Sequence, residues 1–360
     1  MKKLFILATF LFIDYYTGIA QFQSINFSEL EKKAISLCKE RKYEAALSLY
    51  LSLEDQIKIS SKRHQLAFHI SRHNVIKYIL LRKKTSDLDK YVLESIEKIE
   101  EINGKSDTIL IDFYRTLGLS SFNLTKYQEA ENSFDHALKI YSNNPQYEGH
   151  YSIASLFDIT IKNLISKGDI YNALIYCKKA LAFAKEHFDE TDSTFGKIFE
   201  RFGHCYRKLN SIEESKFYYE KALVVYRNFY GDNNLNISNI YDRIGRLHIA
   251  SDDYQEAIQY LQKGLRIRKN ILEPTDFKIG ASFDNIGNSY YYLKEYQKAI
   301  IFFRKALGAF RYSASKTTHA DQYSKIAACY TNLNDFQKAE HYLDSCFRIL
   351  EFDRDIDHPF

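Results

Sequence analysis

Helix breakers are scarce in this sequence. Proline occurs 3 times and glycine 13 times in 360 residues, so few positions force a helix to stop, and long helices joined by short turns are the simplest reading. Tryptophan is absent, whereas tyrosine (29) and phenylalanine (26) are abundant and recur at fixed spacing, as packing residues do. The five cysteines, Cys38, Cys177, Cys205, Cys329 and Cys346, are odd in number and scattered. That excludes a disulfide framework and reads as small thiols buried in helix packing; Cys329 and Cys346, in one hairpin, are the pair to test for a bridge. Neither charge dominates: 50 Lys+Arg stand against 46 Asp+Glu, for a net charge of +4. The two signs are interspersed, which argues against a nucleic-acid partner.

The N-terminus carries a targeting pattern. Lys2 and Lys3 precede the apolar run Leu4 to Ile13, and Gly18-Ile19-Ala20 places small residues before Gln21. Ten apolar residues are too few for a membrane span, and Asp14 ends the run; residues 1–20 read as a cleaved secretory signal. No cysteine lies at the cleavage point to carry a lipid, and no later segment is apolar enough to cross a bilayer. The expectation is an exported protein without a transmembrane anchor, in the periplasm or outside the cell of a Gram-negative bacterium.

What is present in quantity is a repeat. From Gly118, Tyr127 follows at nine residues, Ala130 at twelve, Phe134 at sixteen and Ala137 at nineteen. The same offsets from Gly245 reach Tyr254, Ala257, Leu261 and Gly264, and from Gly287 they reach Tyr296, Ala299, Phe303 and Ala306. Markers at Ala34, Ile76, Gly118, Ile161, Gly203, Gly245, Gly287 and Ala327 are spaced by 42, 42, 43, 42, 42, 42 and 40 residues. The unit at Ile76, residues 64–103, is degenerate, because Thr85 and Leu88 replace the aromatic and the alanine. A regular period of this length means stacked supersecondary units. Each unit is a helix, a tight turn and an antiparallel helix, and no hairpin buries its own apolar face alone, so neighbours stack. The expected fold is all-α: a right-handed α-solenoid of about eight antiparallel hairpins over residues 21–353, with a short tail at 354–360. Small residues mark the helix crossings, Gly245 opposite Gly264 and Gly287 opposite Ala306; Gly196 lies outside that pattern and is expected to tolerate a larger side chain.

Those residues resemble the tetratricopeptide repeat, in the 42-residue, long-helix variety seen in kinesin light chains and bacterial signalling and scaffold proteins. Phe283-Asp284-Asn285-Ile286-Gly287 through Ala306 is the nearest match. The resemblance covers about residues 27–353 and implies a groove that takes extended or helical peptides.

A search for chemistry finds none. Gly104-Lys105-Ser106 ends like a phosphate loop, but Ile99 stands where the first glycine is required. His69 and His73 share a helix face, yet Ile70 follows His69 and no third ligand is near, so both read as surface or groove histidines. His204 and Cys205 are sequence neighbours that diverge by about 100° on a helix and cannot act as a base–nucleophile pair. No catalytic residue, metal or cofactor is expected.

The inner face of the first helices offers the candidate peptide groove. It comprises Lys197, Arg201, His204, Arg207 and Lys208 in the fifth unit, and Asn239, Arg243 and Arg246 in the sixth. Asp284, Asn285, Asn288, Tyr291 and Tyr292 follow in the seventh. Glu200 and Asp242 lie among them and offset part of the charge, with Glu200–His204 an expected internal pair. Arginine forks onto carboxylates, asparagine bonds peptide backbone, and tyrosine supplies flat apolar contact. The function expected is a non-catalytic scaffold for a protein or peptide ligand. The alternatives are a peptide- or ligand-sensing module working with a separate kinase or regulator, and a non-catalytic subunit of a CHAT-type protease or surface enzyme system. The last helix carries Leu343, Cys346, Leu350 and no polar cap, so a partner or a second copy is expected at the C-terminal end.

Overall fold

In a computed structural model, residues 26–354 are described, apart from 55–56, 58–59, 81, 83–86 and 313. The expected signal at 1–20 and the tail from 355 onward lie outside the described residues. Sixteen helices make up the described chain, with no strand among them. They are α1 (Phe27–Lys39), α2 (Tyr43–Leu51), α3 (Lys62–Leu80), α4 (Asp89–Asn103), α5 (Leu110–Asn123), α6 (Tyr127–Ser142), α7 (His150–Lys167) and α8 (Ile170–His187). α9 (Ser193–Lys208), α10 (Ile212–Tyr230), α11 (Leu235–Ala250), α12 (Tyr254–Ile271), α13 (Phe277–Tyr292), α14 (Tyr296–Phe310), α15 (Lys316–Asn332) and α16 (Phe336–Arg354) follow. They pair as antiparallel hairpins, an α-solenoid, and divide into two compact units at Tyr176/Cys177, within α8. No described helix is long and apolar enough to cross a membrane.

Every marker residue falls on the first helix of a hairpin. Nine residues on, Tyr43, Tyr127, Ile170, Ile212, Tyr254, Tyr296 and Phe336 are each the first residue of the second helix. Hairpin two differs: α4 starts at Asp89, while Val92 and Ser95, at offsets sixteen and nineteen from Ile76, are still buried.

The turns explain how two helices join in so few residues. Two positions before the second helix the chain enters the left-handed region, at Arg41, Thr125, Gly168, Asn210, Asp252, Lys294 and Asn334. The next amide then donates back five residues, as Glu295 N–H does to the Tyr290 carbonyl and Asp253 N–H to that of His248. This is the Schellman closure, which satisfies carbonyls left open at a helix end. The first helices of hairpins five to eight begin instead with a side-chain cap: Asp192 on α9, Asn234 on α11, Asp276 on α13 and Ser315 on α15. Each such cap contributes about 1 kcal/mol.

Packing corrects the expected crossings. Gly245 faces Leu261 and the Ala257 carbonyl rather than Gly264, and Gly287 faces the ring of Phe303 rather than Ala306. Gly203 likewise faces Tyr219 and Gly118 faces Phe134, so the glycine accommodates the large side chain sixteen residues on. A second close approach lies seven residues earlier. A Cβ on Gly196 would stand 2.6 Å from the Tyr226 ring, and Gly280 meets Phe310 in the same way. Gly196 is therefore a crossing glycine, contrary to the sequence expectation. The physical reason is that a long hairpin crosses over more than one turn, and the marker pattern captured only the turn-proximal contact.

We expect Gly245→Leu, Gly287→Leu and Gly196→Leu each to lose about 1–3 kcal/mol or more in chemical denaturation, because the facing side chains have nowhere to move. Gly308, in the last turn of α14 with no atom within 4 Å of a built Cβ, is the control. Gly308→Ala should gain roughly 0.5–1 kcal/mol through helix propensity. A Gly196 variant as stable as the parent would mean the second approach is not close-packed.

Candidate functional site

The described second unit builds its core from one hairpin's second helix and the next hairpin's first. Tyr219, Ala222, Leu223 and Tyr226 of α10 pack on Ile237, Ile240, Tyr241, Ile244 and Leu247 of α11. That stacking brings the α9 and α11 faces side by side, and a charge register links them. The residue three before the markers Gly203, Gly245 and Gly287 is acidic: Glu200, Asp242 and Asp284. The residue two before the next marker answers it. Arg243 Nη2 lies 2.8 Å from Glu200 Oε1, and Lys325 Nζ lies 2.8 Å from Asp284 Oδ1.

Asp242 has no such answer, because Asn285 stands at the corresponding place in α13. Its partner is Arg268 of α12, whose Nη1 donates to Asp242 Oδ2 (2.5 Å) and to Ser282 Oγ (2.5 Å), while Nη2 donates to Asn239 Oδ1 (3.1 Å). Arg268 and Asp242 are both buried. Two members of the expected groove, Asn239 and its neighbour Asp242, are thus engaged in the core.

The expected Glu200–His204 pair is replaced as well. Glu200 accepts from the Tyr226 hydroxyl (3.2 Å) and from Arg243, and Arg201 stands 3.7 Å from it. With Glu200 and Asp242 committed, Arg207, Lys208 and Arg246 are left without an ion pair among the described residues. Lys197 and Lys208 are exposed on α9, Arg201 is buried, and His204 and Arg207 are half-buried. Burial lowers the His204 imidazole to about 3, and Arg243, Arg207, Arg201 and Lys208 press in the same direction. Arg246, which reaches solvent, is held below the usual guanidinium range by desolvation of its inner atoms and then by Arg243 and Arg207. Arg243 also lies over the ring of Tyr219, 5.9 Å from its centroid. Arg207, Arg243 and Arg246 therefore form one cationic cluster across α9 and α11, with the neutral His204 imidazole among them and Tyr219 as its floor.

The α13 residues are used differently. Asp284 accepts from Gln322 and Lys325. Asn285 and Asn288 are half-buried on the helix face. Tyr291 accepts from Asn332 (3.3 Å), and exposed Tyr292 stacks on Tyr254 at 5.1 Å, at the hairpin turn. Tyr219 and Tyr226 were not among the sequence candidates, because they sit on a second helix; tyrosine at the sixteen-residue offset, where the adjacent units have Cys177 and Leu261, was the available signal.

The other chemistry-bearing residues are structural. His69 and His73 are buried, not surface histidines: His69 Nδ1 lies 3.0 Å from Ser95 Oγ and 3.3 Å from Arg72 Nη2, and His73 Nε2 lies 3.3 Å from Asp112 Oδ2. Amphipathic spacing misplaced them because α3 is covered on more than one face. Among the described residues no three His, Cys, Asp or Glu side chains are placed to hold a metal. None of the five cysteines is in a disulfide; Cys38, Cys177, Cys205 and Cys329 are buried, and burial pushes Cys329 up to about 12.

The buried imidazoles predict an acid sensitivity. Burial, reinforced by Arg72, holds His69 at about 3, as burial holds His204. Their unfolded value is near 6.5, so below it the unfolded chain takes up protons that the folded chain refuses. The stability they contribute is full above about pH 6.5 and is lost as pH falls toward 3. Burial alone would raise Asp112, but His73, Arg115 and Lys77 outweigh it and hold the carboxyl well below the usual range, so its contribution survives to lower pH. We expect the urea midpoint to fall between pH 7 and pH 4.5 (~2 units below the His reference), and His69→Asn to flatten that fall. A midpoint constant across the interval would show that these imidazoles charge in place.

Comparison with known proteins agrees with this architecture. A family model for the tetratricopeptide repeat matches residues 196–270 and 251–312. No curated protein sequence matches the chain. Among solved structures, the apo quorum sensor NprR from B. thuringiensis superposes with a TM-score of 0.64 at 17% identity, over 93% of this chain and 92% of that one. A Rap protein complexed with competence and sporulation factor gives 0.52 at 12% identity, over 90% and 97%. BtubC from P. vanneervenii gives 0.57 at 18% identity, over 65% and 92%. At these identities the likeness concerns the fold. Residues 196–312 match the tetratricopeptide repeat, and the α-solenoid fold is the one these tetratricopeptide-repeat structures share.

Proposed function

We propose that this protein is an exported, non-catalytic scaffold that binds a peptide or protein through the α9–α11–α13 face, with an acidic group on the ligand at the Arg207/Arg243/Arg246 cluster. The observation that carries this reading is the cluster itself: Glu200 balances Arg243 and Asp242 is bonded to Arg268, so three neighbouring arginines share too little counter-charge, and an anion that binds there balances the rest. Asn285 and Asn288 beside it suit a peptide backbone. Export rests on the Lys2–Ala20 pattern. A second contact surface is the apolar end at α16.

A sensing role alongside a separate regulator is the second reading, favoured by the fold shared with a quorum sensor and with a Rap protein in complex with a sporulation factor. Affinity capture from the exporting cell tests the binding role. The full chain should recover a partner that Arg207→Glu/Arg246→Glu loses, and a regulator among the recovered proteins would select the second reading. Capture unaffected by the double reversal would remove the cluster from the binding site.

A further inference from the structure

We infer that the anion taken by the α9–α11 cluster is a phosphate monoester in its doubly charged form, rather than a carboxylate. The inference rests on that cluster being the binding site, as proposed above, and names the chemistry of the group held there. Glu200 answers one arginine, Arg243, and Asp242 is bonded to Arg268. Arg207 and Arg246 have no ion pair among the described residues, and the His204 imidazole beside them, held at about 3 by burial, is neutral. Two positive charges are therefore left over at one place. A carboxylate brings one negative charge, whereas a phosphate monoester brings nearly two above its second pKa of about 6. Two separate carboxylates carry the same charge, but a flexible chain must be ordered to hold both together.

The donors agree with the charge. All three cations are arginines, whose planar forks match phosphate oxygens in pairs and which are more weakly hydrated than lysine. Arg243 and Arg246 are three apart on α11 and share one helix face, and Arg207 stands on α9 alongside. Two donors beneath them are unspent. Tyr219 is 0% exposed, and neither its hydroxyl nor the Arg243 Nε–H has a hydrogen-bond partner among the described residues. Burial raises the Tyr219 phenol above its ordinary value, against the opposite pull of Arg243 and Arg207, so it keeps its proton and can donate. Both atoms are closed to solvent while the Arg243 guanidinium lies over the ring; a ligand oxygen reaches them as that side chain turns outward. Unmet buried donors are costly. A phosphate monoester has three acceptor oxygens to a carboxylate's two, enough to meet these floor donors and the outer arginines together.

Calorimetric titration of the full chain at neutral pH tests this with three probes: inorganic phosphate, a capped phosphoseryl tripeptide, and the same tripeptide with glutamate in place of the phosphoserine. We expect both phosphate probes to bind, and the phosphoseryl peptide to bind at least about tenfold more tightly than the glutamyl one. Arg207→Glu/Arg246→Glu should abolish binding with the circular dichroism spectrum unchanged. Tyr219→Phe, which removes only the unspent hydroxyl, should weaken phosphate binding several-fold without lowering the melting temperature. A phosphoseryl peptide tighter than inorganic phosphate supports a phosphate carried on a peptide ligand, and the reverse order supports a free phosphate ester. A glutamyl peptide that binds as tightly as the phosphoseryl one, both lost in the double variant, overturns the phosphate inference and leaves the cluster a site for acidic peptides. Failure of both phosphate probes, with partner capture still dependent on Arg207 and Arg246, overturns the phosphate inference alone; their failure with capture independent of those arginines overturns the site as well.

Discussion

Replacing Arg268 with alanine is expected to cost the fold about 3–5 kcal/mol, the loss seen when one partner of a buried ion pair is removed and the other stays uncompensated. Arg268 stands at the offset where the neighbouring hairpins place Tyr226 and Phe310, rings packed against Gly196 and Gly280. In this hairpin Ser238 replaces that glycine, and the guanidinium instead gathers Asp242, Asn239 and Ser282. Truncation strands the Asp242 carboxylate, which is buried beneath α12 with Gly264 packed against it. Removing both charges together, as Asp242→Asn/Arg268→Met, should cost much less, since neutral groups of similar volume tolerate the same site. Chemical denaturation followed by circular dichroism reads both variants. An alanine variant within 1 kcal/mol of the parent would mean the pair is solvated.

Reversing two groove cations is the second large effect. Against a captured ligand, Arg207→Glu/Arg246→Glu should weaken binding by about 2–5 kcal/mol if the contact is desolvated, and by much less at a wet rim. Lys263→Glu/Arg266→Glu makes the same charge change on exposed positions of α12 and should leave affinity close to the parent. Salt separates the two regimes, because added electrolyte screens an exposed contact within about 8–10 Å and a buried one far less. Equal loss in both double variants would point to general charge attraction rather than a site.

Much of the fold was legible because the repeat is a packing requirement stated eight times. Small residues at Gly118, Gly203, Gly245 and Gly287, and the residue nine further on, located each first helix and the start of seven second helices. The second hairpin was harder to read, since α4 starts four residues after the expected Thr85 although Val92 and Ser95 keep the buried register. The left-handed turn residue was not legible. Arg41, Thr125, Asn210, Asp252, Lys294, Asn334 and Gly168 adopt it, and only one is a glycine, because the Schellman hydrogen bonds of the turn override local preference.

Of the groove, the helix face could be read from the heptad-like spacing of Arg243, Arg246 and their neighbours, but the state of its charges could not. Sequence periodicity determines which residues share a face, since a helix places positions three and four apart together whatever surrounds them. It therefore determined the hairpins, their period, their small-residue contacts and the identity of the inner-face side chains. Which acid neutralises which base depends on atoms brought in from other helices. Tertiary stacking gave Glu200 to Arg243 and Tyr226, gave Asp242 to Arg268, buried His69 and His73, and left Arg207 and Arg246 without an ion pair among the described residues. Electrostatic partnership is decided at a few ångströms and by burial, neither of which a one-dimensional period contains.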